Sequence, residues 1–479
     1  MKLLLLFLLL TGYQCISQDI YQPHEVETQA IPTGGVTILN EFLKSNIEVP
    51  LKSSVRGINA KVFVKGIIEP NGSMTGLSII RGIDSLCNQE AIRVLALYKA
   101  WQPAVLKNKK VRQAVVYHVA FISEAKENFD TSLWSYVNYY DSKYQLTKVE
   151  KDYKFRSVMP VDDAGYLKSD ISYEEREGGK WKQLNAIPFK RKEMWYKIRE
   201  EPGVDSVEAY QLSAEDNHEN NYAPFYTFQK NGKLLAYRRN SKNGKPQLTK
   251  EYYLSGMLKN AESFDDSSST RVTWYKNGQI SNVLNLQINP ERYDANRVVS
   301  VWEWDGKQTV AEGNGWWTYS SYADDKLVLE SGAVKSGAQT GKWTGRLRDS
   351  TLYFIEEYDH GKLIAGTRFV NGEKISYKSK IIQPKFQGGT SAFYQFLGQN
   401  IRYPTDAARK GISGKVQLSF TVCEDGSLCD YNIEKSVTKD IDEEALRVVK
   451  KMSGKWEPGE MRGQKVRVRY NLPVNFQLQ

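Results

Sequence analysis

Histidine and cysteine are scarce in this chain, with four of each among 479 residues. That leaves a small pool of metal ligands and of nucleophilic or acid–base side chains. The cysteine spacing (15, 87, 423, 429) fits neither a zinc set nor a CxxC redox pair. No P-loop, HExxH, GxSxG or GxGxxG occurs. The chain therefore reads as non-catalytic, with no catalytic residues, no metal and no small-molecule cofactor. Long apolar runs are also missing. The strongest, Leu3 to Leu10, would extend only about 12 Å as a helix, well short of a bilayer core. The 15 prolines form no spacer. The net charge of +10 is spread out, with no Lys/Arg block and no basic–aromatic module. Nucleic acid is thus excluded as a partner, leaving solubility or contact with an anionic envelope surface.

What is present begins with a leader. Lys2, the run Leu3–Leu10 and Cys15-Ile16-Ser17 before Gln18 have the pattern of a secretory signal over residues 1–18. Lipidation of Cys15 is a lesser alternative, because Tyr13 and Gln14 are poor neighbours for a lipid-modified cysteine. Secretion makes a periplasmic or outer-envelope location the expectation, with inner-membrane anchoring disfavoured. Cys423 and Cys429 flank the turn Glu424-Asp425-Gly426-Ser427, so a cross-strand disulfide and two unpaired thiols both remain open.

The two ends of the chain are one block of sequence used twice. Gly34-Gly35 recurs as Gly388-Gly389, Phe42-Leu43 as Phe396-Leu397, Gly72-Ser73 as Gly426-Ser427 and Glu90-Ala91 as Glu444-Ala445, at a constant offset of 354. After one inserted residue the offset is 355, pairing Trp101 with Trp456, Pro103 with Pro458 and Val111-Arg112 with Val466-Arg467. In the second copy, residues 392–400 place Phe393, Phe396 and Leu397 at helical spacing. Residues 415–423 alternate as a half-buried strand, Asp425-Gly426 turns it, and the return strand runs over about 428–437. Residues 442–452 form an amphipathic helix with acidic residues first and basic residues last, as the helix dipole favours. Residues 465–477 read as a final strand, and Pro473 within it predicts a sheet edge.

Helix, hairpin, helix, WxPG turn and a strand ending in Pro473-Val474-Asn475-Phe476 resemble the C-terminal domain of the TonB family. The resemblance rests on Gly388-Gly389, Tyr403-Pro404, Gly411, Asp425-Gly426, Glu444-Ala445, Trp456, Pro458-Gly459, Val466 and residues 473–476, and covers about 381–479. Residues 30–123 resemble a diverged copy, with Asn71, Gln102, Ala104 and His118 replacing Asp425, Glu457, Gly459 and Pro473. The resemblance implies binding of an extended segment of an outer-membrane receptor, or of another envelope protein, by strand addition to the last strand. It places the partner-strand site on Val466, Arg467, Val468, Arg469, Tyr470 and Leu472, and in the first copy on Val111, Val115 and Tyr117. A homodimer through the same edges is a further option. Force-transmitting members of the family have an uncleaved membrane helix and a proline-rich spacer. Neither pattern occurs here, so binding without the motor is the expectation.

Between the copies, residues 124–380 show aromatic strands around Asn-Gly or related turns, with Gly232, Gly256 and Gly278 spaced 24 and 22 residues apart. These resemble MORN-variant hairpin repeats, and the period implies stacked hairpins that cannot bury a face alone. His218 lies in an acidic, Asn-rich run that reads as a polar loop rather than a metal site. The expected architecture is α+β: two TonB-C-terminal-like domains, each an antiparallel hairpin plus edge strand packed on two helices, flanking an all-β array. The expected function is that of a TonB-like envelope protein linked to transport across the outer membrane. A scaffold whose central repeats form the binding surface is the alternative.

Overall fold

The computed structural model describes residues 19–201, 204–214, 224–241, 245–288, 295–323, 326–370 and 372–477. The expected leader, Cys15 and His218 lie outside the described residues. Two compact units meet between Glu312 and Gly313. The boundary falls inside the region expected to form one central array: the first end domain shares a core with the strands beside it, and the second reaches its own strands through Met461 and Arg462.

In the first unit, Ile58–Ile68 is the middle strand of an antiparallel sheet, with Met74–Arg81 on one side and Lys109–Ser123 on the other. Helices Val36–Asn46 and Ser85–Leu97 cover one face through Leu39, Phe42, Leu43, Ala91, Val94 and Leu95. Asp84 caps the second helix by accepting the Cys87 N–H at 2.7 Å. The repeated Glu-Ala pair has a structural reason. Glu90 accepts the Glu48 N–H at 2.6 Å and pairs with Arg93, which donates to the Asn46 carbonyl at 2.7 Å. The second copy repeats the clamp atom for atom, with Glu444, Arg402 N–H, Arg447 and the Asn400 carbonyl. Each clamp ties the segment after the first helix to the body of the next.

Residues 129–187 form a separate five-stranded antiparallel sheet. From Phe189–Glu201 to Gln308–Ala311, each described strand pairs with the next. The hairpins are therefore not stacked units but one continuous ladder. The turn glycines Gly232, Gly256, Gly278 and Gly306 all have φ between 87 and 89°. At Gly278, its N–H donates to the Tyr275 carbonyl at 2.9 Å and the Tyr275 N–H donates to Gln279 at 2.8 Å. This is the three-residue loop whose last position needs a left-handed residue. A β-carbon on Gly278 would also lie 2.8 Å from Tyr98 and 3.0 Å from Phe42, so close packing selects glycine as well. The first copy sits on these turns. Trp274 is wholly buried edge-on to Phe42, Leu258 N–H donates to Asn46 Oδ1 at 2.7 Å, and Lys99 N–H donates to the Asn277 carbonyl at 2.7 Å.

In the second unit, strands from Asn314–Ala323 to Glu373–Tyr377 form a ladder of the same kind. The second copy follows, with helices Gly389–Asn400 and Lys439–Lys450 on the sheet Leu428–Lys435, Gly414–Val422, Val468–Phe476. Both helices begin earlier than the sequence suggested, and the expected last strand is broken. Gln464–Val466 folds back on Gly459–Met461, whereas Val468 onward pairs with Gly414–Val422, so Arg467 falls at the change of partner.

The tip of that short hairpin, Arg462-Gly463, adopts positive φ at both positions, as a two-residue type I′ turn requires. It carries Arg462 into the ladder. The guanidinium lies 2.9 Å from Glu330 and 2.8 Å from Glu356, with all three side chains at most 3% exposed. Its carbon sits 3.6 Å from the Phe354 ring centre. Tyr319 and Ser321 donate to Glu330, and Tyr358 and Tyr377 donate to Glu356. Burial by itself would raise the Glu330 carboxyl, yet Lys380 and Arg462, helped by the Ser321 and Tyr319 hydroxyls, hold it down to about 2. Removing one member leaves buried charge uncompensated. Arg462→Met is expected to destabilise the protein by about 3 kcal/mol in denaturant unfolding. Because Glu330 titrates lower folded than its ordinary 4.5, its contribution is complete above that pH and lost as pH falls toward about 2. Thermal midpoints measured across that window should fall for the native chain, with a flatter dependence in Glu330→Gln.

Candidate binding edge

The last strand, Val468–Phe476, pairs with Gly414–Val422 without a register shift, and no described residue pairs with its other side. In an antiparallel ladder each residue sends both backbone groups to the same side, and successive residues alternate. Pro473 has no N–H to give to Gln417 opposite it, so its position faces away from the sheet. By parity the N–H and C=O of Arg469, Asn471 and Asn475 face outward too. The same residues carry the exposed side chains, whereas Leu472, Val474 and Phe476 are buried.

This parity corrects the residue set expected from sequence. Val468, Tyr470 and Leu472 spend their backbone on Gly414–Val422 and turn their side chains toward the core, Tyr470 lying 4.9 Å from Trp456. Val466 pairs with Gly459 in the neighbouring hairpin. Arg467 sits at the break and donates to Asp430 at 2.6 Å. Of the six, only Arg469 lies in the strand with its backbone outward. It donates to Ser419 at 2.9 Å and to Glu434 at 2.5 Å. Hydrogen bonds from Ser419, Asn432 and Arg469 lower the Glu434 carboxyl below its usual range. A hollow of about 450 Å³ lies beside Arg469, Asn471 and Pro473, lined also by Gln417 and Glu434. Asn471 and Asn475 were absent from the expected set. The alternation counted from Pro473 was the signal that identifies them.

The first copy differs. Gln113 pairs with Ile68 on one side and with Tyr21 on the other, and Arg112 pairs with Ile20, so residues 20–21 already occupy the start of this edge. Val111 is taken by Ala104. Val115 and Tyr117 pair with Gly66 and Val64, and their side chains pack in the core against Trp101 and its neighbours. Outward positions are Val116, His118, Ala120 and Ile122, with Val116 55% and Ile122 68% exposed. The corresponding positions of the second copy are Asn471, Pro473, Asn475 and Gln477. One edge is apolar and partly covered, the other polar and open.

Residues 47–122 and 399–478 each match the family described as the Gram-negative bacterial TonB protein C-terminal. The chain carries two segments similar to TonB C-terminal domains. Solved structures similar to it include two solution NMR structures of the Helicobacter pylori TonB-CTD. They are 26% and 25% identical, each over 18% of this chain and over 77% and 90% of theirs, with a TM-score of 0.16 in both cases. No curated protein matches the chain. TonB-C-like domains stand at both ends of a mostly β protein with a large antiparallel central region. Among the described residues no helix is long and apolar enough to cross a membrane.

Cys423 and Cys429 of the second copy are diagonal neighbours beside the Glu424-Asp425-Gly426-Ser427 turn, Cα atoms 6.9 Å apart, in position to form a disulfide. Cys87 is buried, with its thiol against Ser53 and Asp84. Burial pushes that thiol up, away from reactivity. Intact-mass measurement of protein secreted under oxidising conditions should therefore show the loss of two hydrogens, and Cys423→Ser should abolish that loss whereas Cys87→Ser should not.

Proposed function

We propose that this chain is a non-catalytic, TonB-like protein of the periplasm or outer envelope that captures an extended segment of an outer-membrane receptor or other envelope protein. The segment adds as a further strand along Val468–Phe476. The observation that carries this reading is the unpaired side of that strand, where Arg469, Asn471 and Asn475 offer backbone groups in regular alternation. Backbone bonds would supply affinity, and the hollow beside Arg469 and Pro473 would select side chains of the incoming strand. Because Ile20–Tyr21 already occupies the start of the first-copy edge, the reading is of one captured segment per chain. A second copy of the chain is a competing occupant of the same edge.

Asn471→Pro removes an outward N–H and leaves the inward ladder intact, whereas Val468→Pro would break the pairing with Val422. With fluorescent peptides taken from periplasmic segments of outer-membrane receptors, Asn471→Pro should weaken capture at least about tenfold with little change in thermal midpoint. Undiminished capture by that variant would sink strand addition. Titration to saturation should give one peptide per chain, and sedimentation should show whether self-association competes.

A specific observation supports a second reading. Trp316, Tyr322, Leu327 and Leu329 are exposed together on one face of neighbouring strands in the second unit. If that face is the working surface, Trp316→Ser will abolish partner binding while Asn471→Pro leaves it unchanged.

A further inference from the structure

The five-stranded sheet at residues 129–187 plays no part in the binding edge, yet it borders a cleft of about 1100 Å³. Three segments meet there, 124–131, 137–139 and 146–148, together with Tyr153. The chain holds the segments in place through its backbone, since Val137 N–H donates to Asn128 at 2.7 Å and Thr147 N–H donates to Tyr139 at 3.0 Å. The cleft is thus built by main-chain pairing rather than by loop packing.

Its lining has three kinds of surface. Tyr139 and Tyr153 stack with ring centres 4.0 Å apart and planes within 4°, and Tyr153 is fixed further by its hydroxyl donating to the Lys148 carbonyl at 3.3 Å. Beside them lie the carboxamides of Asn128 and Asn138, joined by one hydrogen bond at 3.3 Å. That single bond uses a small part of the donors and acceptors of two amides. Across the mouth, Lys148 on one border pairs with Glu127 on the other. Both are largely exposed, so opening this pair costs little.

Aromatic surface, adjacent amides and a charged rim together match a molecule with apolar C–H faces and a girdle of hydroxyls. An apolar ligand would leave the amides unpaired, and a compact anion would have no use for the stacked rings. We propose that this cleft binds a saccharide chain, its rings against Tyr139 and Tyr153 and its hydroxyls on Asn128, Asn138 and the charged rim.

The probes are linear hexasaccharides of glucose and of N-acetylglucosamine, titrated calorimetrically into the whole protein. Saturable binding of at least one is expected, weakened about tenfold by Tyr153→Ala and largely kept by Tyr153→Phe. Asn128 is exposed, so Asn128→Ala should fold and weaken binding severalfold, which keeps the test intact if Tyr153→Ala does not fold. No saturable heat from either probe, or binding unaltered in Tyr153→Ala or in Asn128→Ala, overturns the proposal. Asn471→Pro should leave saccharide binding untouched, so this site and the strand-capture edge succeed or fail separately.

Discussion

A residue in a β-strand can give its backbone to one side only, and that constraint governs the rest of this protein. It lets meandering strands join into ladders without gaps. It makes the last strand of each end domain half committed and half free. It also decides which residues stand at the free side. Around Pro473 the choice is forced, because a residue without an N–H cannot serve the inner ladder where one is needed. The same alternation sends Leu472, Val474 and Phe476 into the core and Asn471 and Asn475 outward. An open backbone edge and a hydrophobic core are thus built from alternate residues of one nine-residue strand.

Duplication supplied two copies of this arrangement, and tertiary context gave them different fates. The helix clamp of Glu90 with Arg93 is kept unchanged as Glu444 with Arg447. The hairpin before the last strand diverged. Its tip is Lys107-Asn108 in the first copy, exposed, and Arg462-Gly463 in the second, where Arg462 is buried between two carboxylates. The exchange of both turn residues anchors the second copy to its ladder, Arg462 by ion pairs and Gly463 by close approach to Ile375. The first copy is held by Phe42, Tyr98 and Trp274 packed at glycine turns. Desolvated charge is costly unless matched, so removing any one member of the second contact strands a buried charge.

Much of the fold was legible in sequence. Alternation over 415–423, helical spacing over 392–400 and Asp-Gly or Asn-Gly turns have local causes, and local causes leave local patterns. The site was less legible. Val115, Tyr117, Tyr470 and Leu472 look like a sticky edge when read as a string, and only pairing partners show that they face inward. Stacked hairpins were expected between the copies, and a continuous ladder is found, because glycine spacing marks each turn but not which strand edge the next hairpin pairs with.

The sequence by itself determined that an α+β domain occurs twice, that β structure lies between, and which segments turn or form helices, since these follow from side-chain size, branching and backbone freedom within a few residues. Tertiary structure alone decided which edge is open. Ile20–Tyr21 and Arg112–Gln113 are distant in the chain and share no pattern. Equally, nothing near Arg462 in sequence announces Glu330 or Glu356. Pairings across long loops depend on where the folded surfaces come to rest, and no short stretch of residues contains that information.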